Sequence, residues 1–145
     1  MTQMIPAENI QKLEFDVTTA DGPSHVTVIT GSLPINMPVV STPQNVKTLV
    51  DPTLQPGKFR KAAAVVSFAN LQSSIPGSGP VDPNNPGSGG FPGAYVSWSI
   101  DDVEATFDDE SSRIVLRMDI GGNSTGQSYS MVGRIGFQVT TLAIV

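Results

Sequence analysis

Apolar and polar residues alternate along much of the chain, which predicts β-strands. Leu13, Phe15 and Val17 would share one face of a first strand, with acidic residues between them on the other face. The dipeptide Asp21-Gly22 lies in a stretch rich in turn-forming residues, and alternation resumes over residues 26–30. Because Asp-Gly is a common chain-reversal signal, the pattern predicts a first hairpin.

Prolines dominate residues 31–58, where five of them recur every four to nine residues. Proline lacks the amide hydrogen that a central strand donates, so we expect edge strand and extended loop there. The next segment, 58–71, fits a helix through its three consecutive alanines and a strand through the sequence VVSF. We favour a strand at about 63–69.

The last third of the chain has the clearest alternation. Its apolar phase shifts by one residue between 96–100 and 103–107, and Asp101-Asp102 lies at the shift, so a β-bulge is predicted there. Alternation continues over 114–120 and 129–141. These segments predict a three-stranded antiparallel meander. The end, residues 140–145, is apolar in both phases, as expected of a strand buried on both sides or of an edge open to another chain.

Residues 73–93 separate the two halves of this pattern, and 11 of these 21 residues are Gly or Pro. This composition predicts a long loop, because it cannot form a packed core. It serves either as a flexible tether or as an assembly arm that orders against a partner, with Ile75, Val81 and Phe91 as its apolar contacts. The fold class predicted for residues 1–145 is a single all-β domain, an antiparallel β-sandwich or jelly roll of seven to nine strands.

Composition excludes several classes of protein. The chain has no Cys, which excludes disulfides, Cys-ligated metal centres and thiol chemistry. Its net charge of −5 argues against binding to nucleic acid, which needs clustered basic residues. We expect no membrane association, because no apolar run approaches the length of a membrane span. The first residues lack the pattern of a secretory signal, so synthesis in the cytoplasm is expected.

One acidic cluster is the best candidate for a metal site. Six carboxylates fall within ten residues and could supply oxygen ligands to Ca²⁺, although their spacing is not that of an EF-hand loop. They are Asp101, Asp102, Glu104, Asp108, Asp109 and Glu110. The alternatives are a solvated bulge and hairpin tip, or a pair of catalytic carboxylates. No cofactor other than this calcium is expected.

Three further features have a functional and a structural interpretation. His25, the only histidine, could act as a general base, but we expect a polar strand residue. Trp98, Tyr95 and Tyr129 could line a sugar-binding face, although the phase of Trp98 favours the core. The basic residues Lys58, Arg60 and Lys61 either dock on an acidic surface of a partner or are simply solvated.

The low content of charged residues favours a function in assembly. Only 14% of residues are charged, against about 25% in ordinary domains, and burying part of the surface in an oligomer would explain this. We therefore expect a non-enzymatic structural subunit of a symmetric assembly, made of this chain alone or with other particle subunits. Its most concrete form is a virion or phage-particle component, such as a capsid-decorating or tail protein. The alternatives are a carbohydrate- or surface-ligand-binding module and an enzyme that uses carboxylate chemistry.

Overall fold

The computed structural model describes residues 2–39, 42–74, 84, 95–125 and 128–145. These residues form eight β-strands and no helix. The strands are β1 (Thr2–Met4), β2 (Glu8–Thr19), β3 (Gly22–Pro38), β4 (Gln44–Val50), β5 (Phe59–Ser74), β6 (Val96–Asp108), β7 (Arg113–Ser124) and β8 (Tyr129–Ile144).

The strands build two four-stranded sheets that pack face to face. Sheet A has the order β1-β4-β7-β6, and sheet B has the order β2-β3-β8-β5. Every neighbouring pair is antiparallel except β1 and β4, which are parallel. The all-β sandwich predicted from the alternation is therefore confirmed.

The core lies between the sheets and consists of apolar side chains that point inward from the facing strands. Sheet A contributes Val46, Val50, Ile114, Leu116, Met118 and Ile120, and sheet B contributes Ile29, Leu33, Val132, Ile135, Phe137 and Val139. Alternation places one side of each strand in this layer, since successive side chains point to opposite faces.

Three local predictions are confirmed. β2 and β3 form a hairpin in which Thr19 pairs with Gly22. The register of β6 against β7 shifts between Asp101 and Glu104, which is the predicted β-bulge. The ambiguous segment is a strand, β5, that extends well beyond residues 63–69.

The predicted meander is wrong in its third strand. β6 and β7 pair in sheet A, but β8 crosses to sheet B and lies between β3 and β5. The end of the chain is therefore a central strand and not a sheet edge. Its last residues are not buried on both sides either, since Ile144 and Val145 are exposed.

For the proline-rich segment, the prediction of edge strand and extended loop agrees only in part with the structure. Residues up to Pro38 continue β3, which is an inner strand of sheet B over most of its length. However, pairing with β2 stops at Ser32, so Pro34 and Pro38 lie where β3 pairs with β8 alone. Here the prolines occupy an edge, where a missing amide hydrogen costs no ladder hydrogen bond.

Candidate assembly surface

The outer face of sheet B consists of cross-strand rows that point away from the core. One row runs Phe15, Val26, Leu142 and Lys61, the next runs Leu13, Val28, Thr140 and Ala63, and the third runs Gln11, Thr30, Gln138 and Val65. The row between the second and the third contains Ile29, Val139 and Ala64, which pack in or against the core. Because faces alternate, the three named rows lie on the outside. Lys61 is the one charged side chain in them.

The outer face of sheet A has a different chemistry. Its rows run Asn45, Asp119 and Asp101, then Lys47, Arg117 and Glu104, then Leu49, Val115 and Thr106. Five of these nine side chains are charged, three of them acidic and two basic. The named rows of sheet A have the composition of an ordinary solvated surface, whereas those of sheet B do not. Beyond the third row of sheet B, an ion pair joins Arg134 to Glu8.

Large apolar side chains are exposed on the outer face of sheet B. Leu13 is 60% exposed, Phe15 44% and Val65 68%. Val26, between Phe15 and Leu142 in its row, is only 8% exposed because its neighbours shield it. A shallow depression of about 270 Å³ at this place is lined by Val26, Lys61, Ala62, Ala63, Thr140 and Leu142.

β2 is an edge strand that projects from the sandwich. Residues 8–16 of β2 are exposed on both faces of the strand, and its hydrogen-bonded neighbour is β3 alone. Leu13, Phe15 and Val17 share a face as the sequence predicts, and that face is the outer one. The projecting strand and the outer face of sheet B, together the sheet B surface, form one continuous region.

The inner side of β2 carries a network of ion pairs. Lys12 Nζ lies 3.3 Å from Glu14 Oε1 and 4.0 Å from Asp51 Oδ2. His25 Nδ1 lies 2.6 Å from Asp16 Oδ1, and His25 Nε2 lies 3.4 Å from Glu14 Oε1. The hydrogen bond with Asp16, followed by that with Glu14, raises the pKa of His25. Since both ring nitrogens face carboxylates, the geometry favours a charged imidazolium in an ion pair over a general base.

The structure spreads the acidic cluster along β6 and the following turn. Asp102 occupies the bulge with a φ of 52°, and a hydrogen bond with Asp119 raises its pKa. In the register of β6 against β7, Asp101 lies opposite Asp119, and Glu104 lies opposite Arg117. Asp108 accepts hydrogen bonds from the hydroxyl and then from the backbone amide of Ser111, which lower its pKa.

Asp109 and Glu110 follow in the exposed turn between β6 and β7. Within the ranges that the structure describes, no three carboxylate or imidazole groups come together where they could hold a metal ion. The calcium candidate therefore gains no geometric support, and the individual partners of Asp108 and Glu104 resemble those of an ordinary hairpin surface.

Trp98 belongs to the interior and Tyr95 and Tyr129 to the surface. Trp98 packs against the core, and its ring centroid lies 6.2 Å from that of Phe68. Its Nε1 donates a hydrogen bond to Ser130 Oγ at 2.7 Å. The core placement predicted for Trp98 is confirmed. Tyr95 and Tyr129 are 48% and 50% exposed, so they are the aromatic rings of this set that a ligand could reach.

The basic cluster is divided between two roles. Arg60 donates hydrogen bonds to Ser24 Oγ at 2.7 Å and to the carbonyl oxygen of Asp21 at 2.9 Å, so it ties β5 to the β2–β3 hairpin. Lys61 lines the depression on the outer face. The predicted assembly-arm residues Ile75, Val81 and Phe91 lie outside the described residues.

Local alternation could not show which face of sheet B would remain open, but one signal was present in the sequence. In β3, Val26 and Val28 occupy one phase and Thr27 and Ile29 the other, so neither face of this strand is polar. Apolar residues in both phases are typical of a strand that is covered on both sides. Sheet A covers only one of them.

Comparison with protein-family models, with curated proteins and with solved structures finds no match to the chain. Among the described residues there is no helix long and apolar enough to cross a membrane. A functional interpretation therefore depends on the surfaces and side chains themselves.

Proposed function

We propose that the protein is a non-enzymatic structural subunit of a symmetric assembly, in which copies of the chain contact each other through the sheet B surface. The observation that carries this proposal is the contrast between the two outer faces. Three rows on sheet B hold twelve residues and one charge, while three rows across β4, β7 and β6 of sheet A hold nine residues and five charges. A largely apolar exposed face with a single charge is typical of a region of contact with other proteins.

The size of the face supports contact between copies. Four strands about 4.8 Å apart and a length of about seven residues give a face of roughly 19 by 23 Å, or roughly 440 Å². Two such faces in contact would bury roughly 900 Å², below the roughly 1,600 Å² of a standard stable interface. A stable assembly therefore needs a further contact, and the projecting β2 edge of the same surface is the nearest one.

The most concrete form of the proposal is a component of a virus or phage particle, such as a capsid-decorating or tail protein. Particles of this kind use many copies of a few chains, related by symmetry, and such subunits need surfaces that match their own copies. The low charge content of the whole chain, 14%, supports a subunit that is buried by its neighbours. The particle form predicts masses much larger than that of a dimer.

A pair of lysine substitutions tests whether the sheet B surface forms the contact. Val65→Lys places a charge in the outer row of sheet B, at a side chain that is 68% exposed, so the fold tolerates it. Ser99→Lys is the matched control, because Ser99 is an exposed residue in the middle of β6 in sheet A. Sedimentation velocity should show that Val65→Lys shifts the distribution towards monomer, whereas Ser99→Lys leaves it as in the parent. Equal distributions for the parent and both variants would overturn the assignment of the interface to this face.

A further inference from the structure

The free edge of β2 has features that suit pairing with another strand. From Gln11 to Thr19 its register against β3 is unbroken, and residues 8–16 are exposed on both faces. An exposed, regular edge strand with apolar side chains presents unpaired amide and carbonyl groups to another chain. The other long edges, β5 and β6, are interrupted by register shifts.

The side chains of β2 are complementary to those of a second, antiparallel copy of β2. We propose that two copies of the chain pair β2 with β2 about a two-fold axis at Glu14, which extends sheet B into a continuous eight-stranded sheet. In this register, residues whose numbers add to 28 lie opposite each other. Lys12 then lies opposite Asp16 of the partner subunit, and symmetry repeats this charge pair. This inference rests on the proposed function, because it names the contact that starts the assembly.

The same register also pairs the apolar side chains of β2 with each other. Leu13 lies opposite Phe15 of the partner subunit, and again symmetry makes the pair twice. Leu13 and Phe15 are 60% and 44% exposed in the single chain, so the pairing buries side chains that have no other cover. Opposite residues in an antiparallel pair point to the same face, which keeps the charged pairs on the inner side and the apolar pairs on the outer side.

The neighbouring registers of β2 against its copy give less favourable side-chain pairs. A two-fold axis perpendicular to the sheet requires paired numbers that add to an even value, because both copies must present the same face. A sum of 30 places Glu14 opposite Asp16 of the partner subunit, which is a repulsive pair made twice. A sum of 26 retains a charge pair for Lys12 but leaves Phe15 opposite Gln11 of the partner subunit. The sum of 28 alone combines the charge pair with the mixed apolar pair.

The contact at the two-fold axis is unfavourable by itself, because Glu14 lies opposite its own copy there and the two carboxylates repel each other. Each Glu14 carboxylate has a cationic neighbour within its own chain, Lys12 Nζ at 3.3 Å. His25 Nε2 is also near, at 3.4 Å. These positive groups offset the repulsion between the two carboxylates. Both edges also gain backbone hydrogen bonds that the single chain leaves unmade.

Disulfide formation tests this register directly, because the chain contains no Cys and any cross-link must come from an introduced residue. In the proposed pairing Glu14 lies opposite its own copy, with Cα atoms about 4.5–5.5 Å apart, a separation that a disulfide spans. Lys12→Cys and Asp16→Cys are matched controls on the same face of the same strand. Each would lie about four residues, roughly 13 Å, from its own copy, which is too far.

Under mild oxidation at a concentration where the parent associates, most of the Glu14→Cys variant should become a covalent dimer. Lys12→Cys and Asp16→Cys should remain uncross-linked alone and should form a mixed dimer when combined. All three positions are exposed, so folding is retained and far-ultraviolet circular dichroism checks it. If Glu14→Cys does not cross-link, or if all three variants cross-link equally, the pairing is overturned. The mass of the parent then decides separately whether the proposed function stands, because an oligomeric parent retains it and a monomeric parent does not.

Discussion

The indole Nε1 of Trp98 donates a hydrogen bond to Ser130 Oγ at 2.7 Å, and this bond joins the two sheets. Trp98 lies on β6 of sheet A, and Ser130 lies at the start of β8 in sheet B. Ser130 Oγ in turn donates to the carbonyl oxygen of Gln72 at 2.8 Å on β5. One buried hydroxyl thus connects three strands, and it commits the single tryptophan to the interior.

Replacement of Ser130 by alanine should destabilise the fold. The variant leaves the partly buried indole N–H and the Gln72 carbonyl without this partner, which costs about 1–3 kcal/mol. Urea unfolding followed by tryptophan fluorescence measures the free energy of unfolding. Ser99→Ala, on an exposed face of β6, is the control and should change it by less than about 0.5 kcal/mol. Equal stability of the two variants would contradict the role assigned to Ser130.

Gly31 should not tolerate a side chain. A Cβ atom there would lie 2.8 Å from Cζ of Phe137, a core ring that pairs across from it on β8. Gly31→Ala should therefore cost about 1–3 kcal/mol through overpacking. Gly136→Ala is the matched control, because its nearest atom, Ser67 Oγ, is 3.6 Å away. If both variants unfold at the same urea concentration, the close packing of Gly31 on Phe137 is not a constraint.

His25 should make stability depend on pH near neutrality. Its pKa is raised above the ordinary 6.5, first by the hydrogen bond with Asp16 and then by that with Glu14. A raised pKa in the folded state means that the ion pair stabilises fully below the ordinary pKa and is lost as pH rises through the folded value. The free energy of unfolding should therefore fall from about pH 6 upwards.

His25→Gln provides the control for this dependence. Thermal unfolding scans from pH 5 to 9 should show a decline in the parent that is flattened in the variant. Glu14 does not produce this decline, because the hydrogen bond from His25, followed by that from Lys12, lowers the pKa of Glu14. The same decline in both proteins would show that another group is responsible.

Local features of the fold were predictable because they depend on neighbours in the sequence. The Asp101-Asp102 bulge follows from a phase shift within one strand, and the β2–β3 hairpin follows from a turn signal. The place of β8 was not predictable in this way. Its pairing joins Val139 to Ile29, residues more than one hundred positions apart, and alternation holds no information on such distant partners.

The same limit applies to the candidate surface. Alternation grouped Leu13 with Phe15 but could not say whether their face would meet the core or the solvent. That outcome depends on the register of β2 against β3, which pairs Leu13 with Val28 and Phe15 with Val26 on the face turned away from sheet A. The apolar residues in both phases of β3 were the one local sign in favour of the proposal that the outer face of sheet B is also covered by another protein.

The most direct test of the account is the mass of the protein in solution, measured by light scattering after size-exclusion chromatography over a wide range of concentration. The account predicts a discrete assembly with an even number of 15.2 kDa chains, populated more as concentration rises and reduced by Val65→Lys. A monomer of 15.2 kDa at every concentration would contradict it.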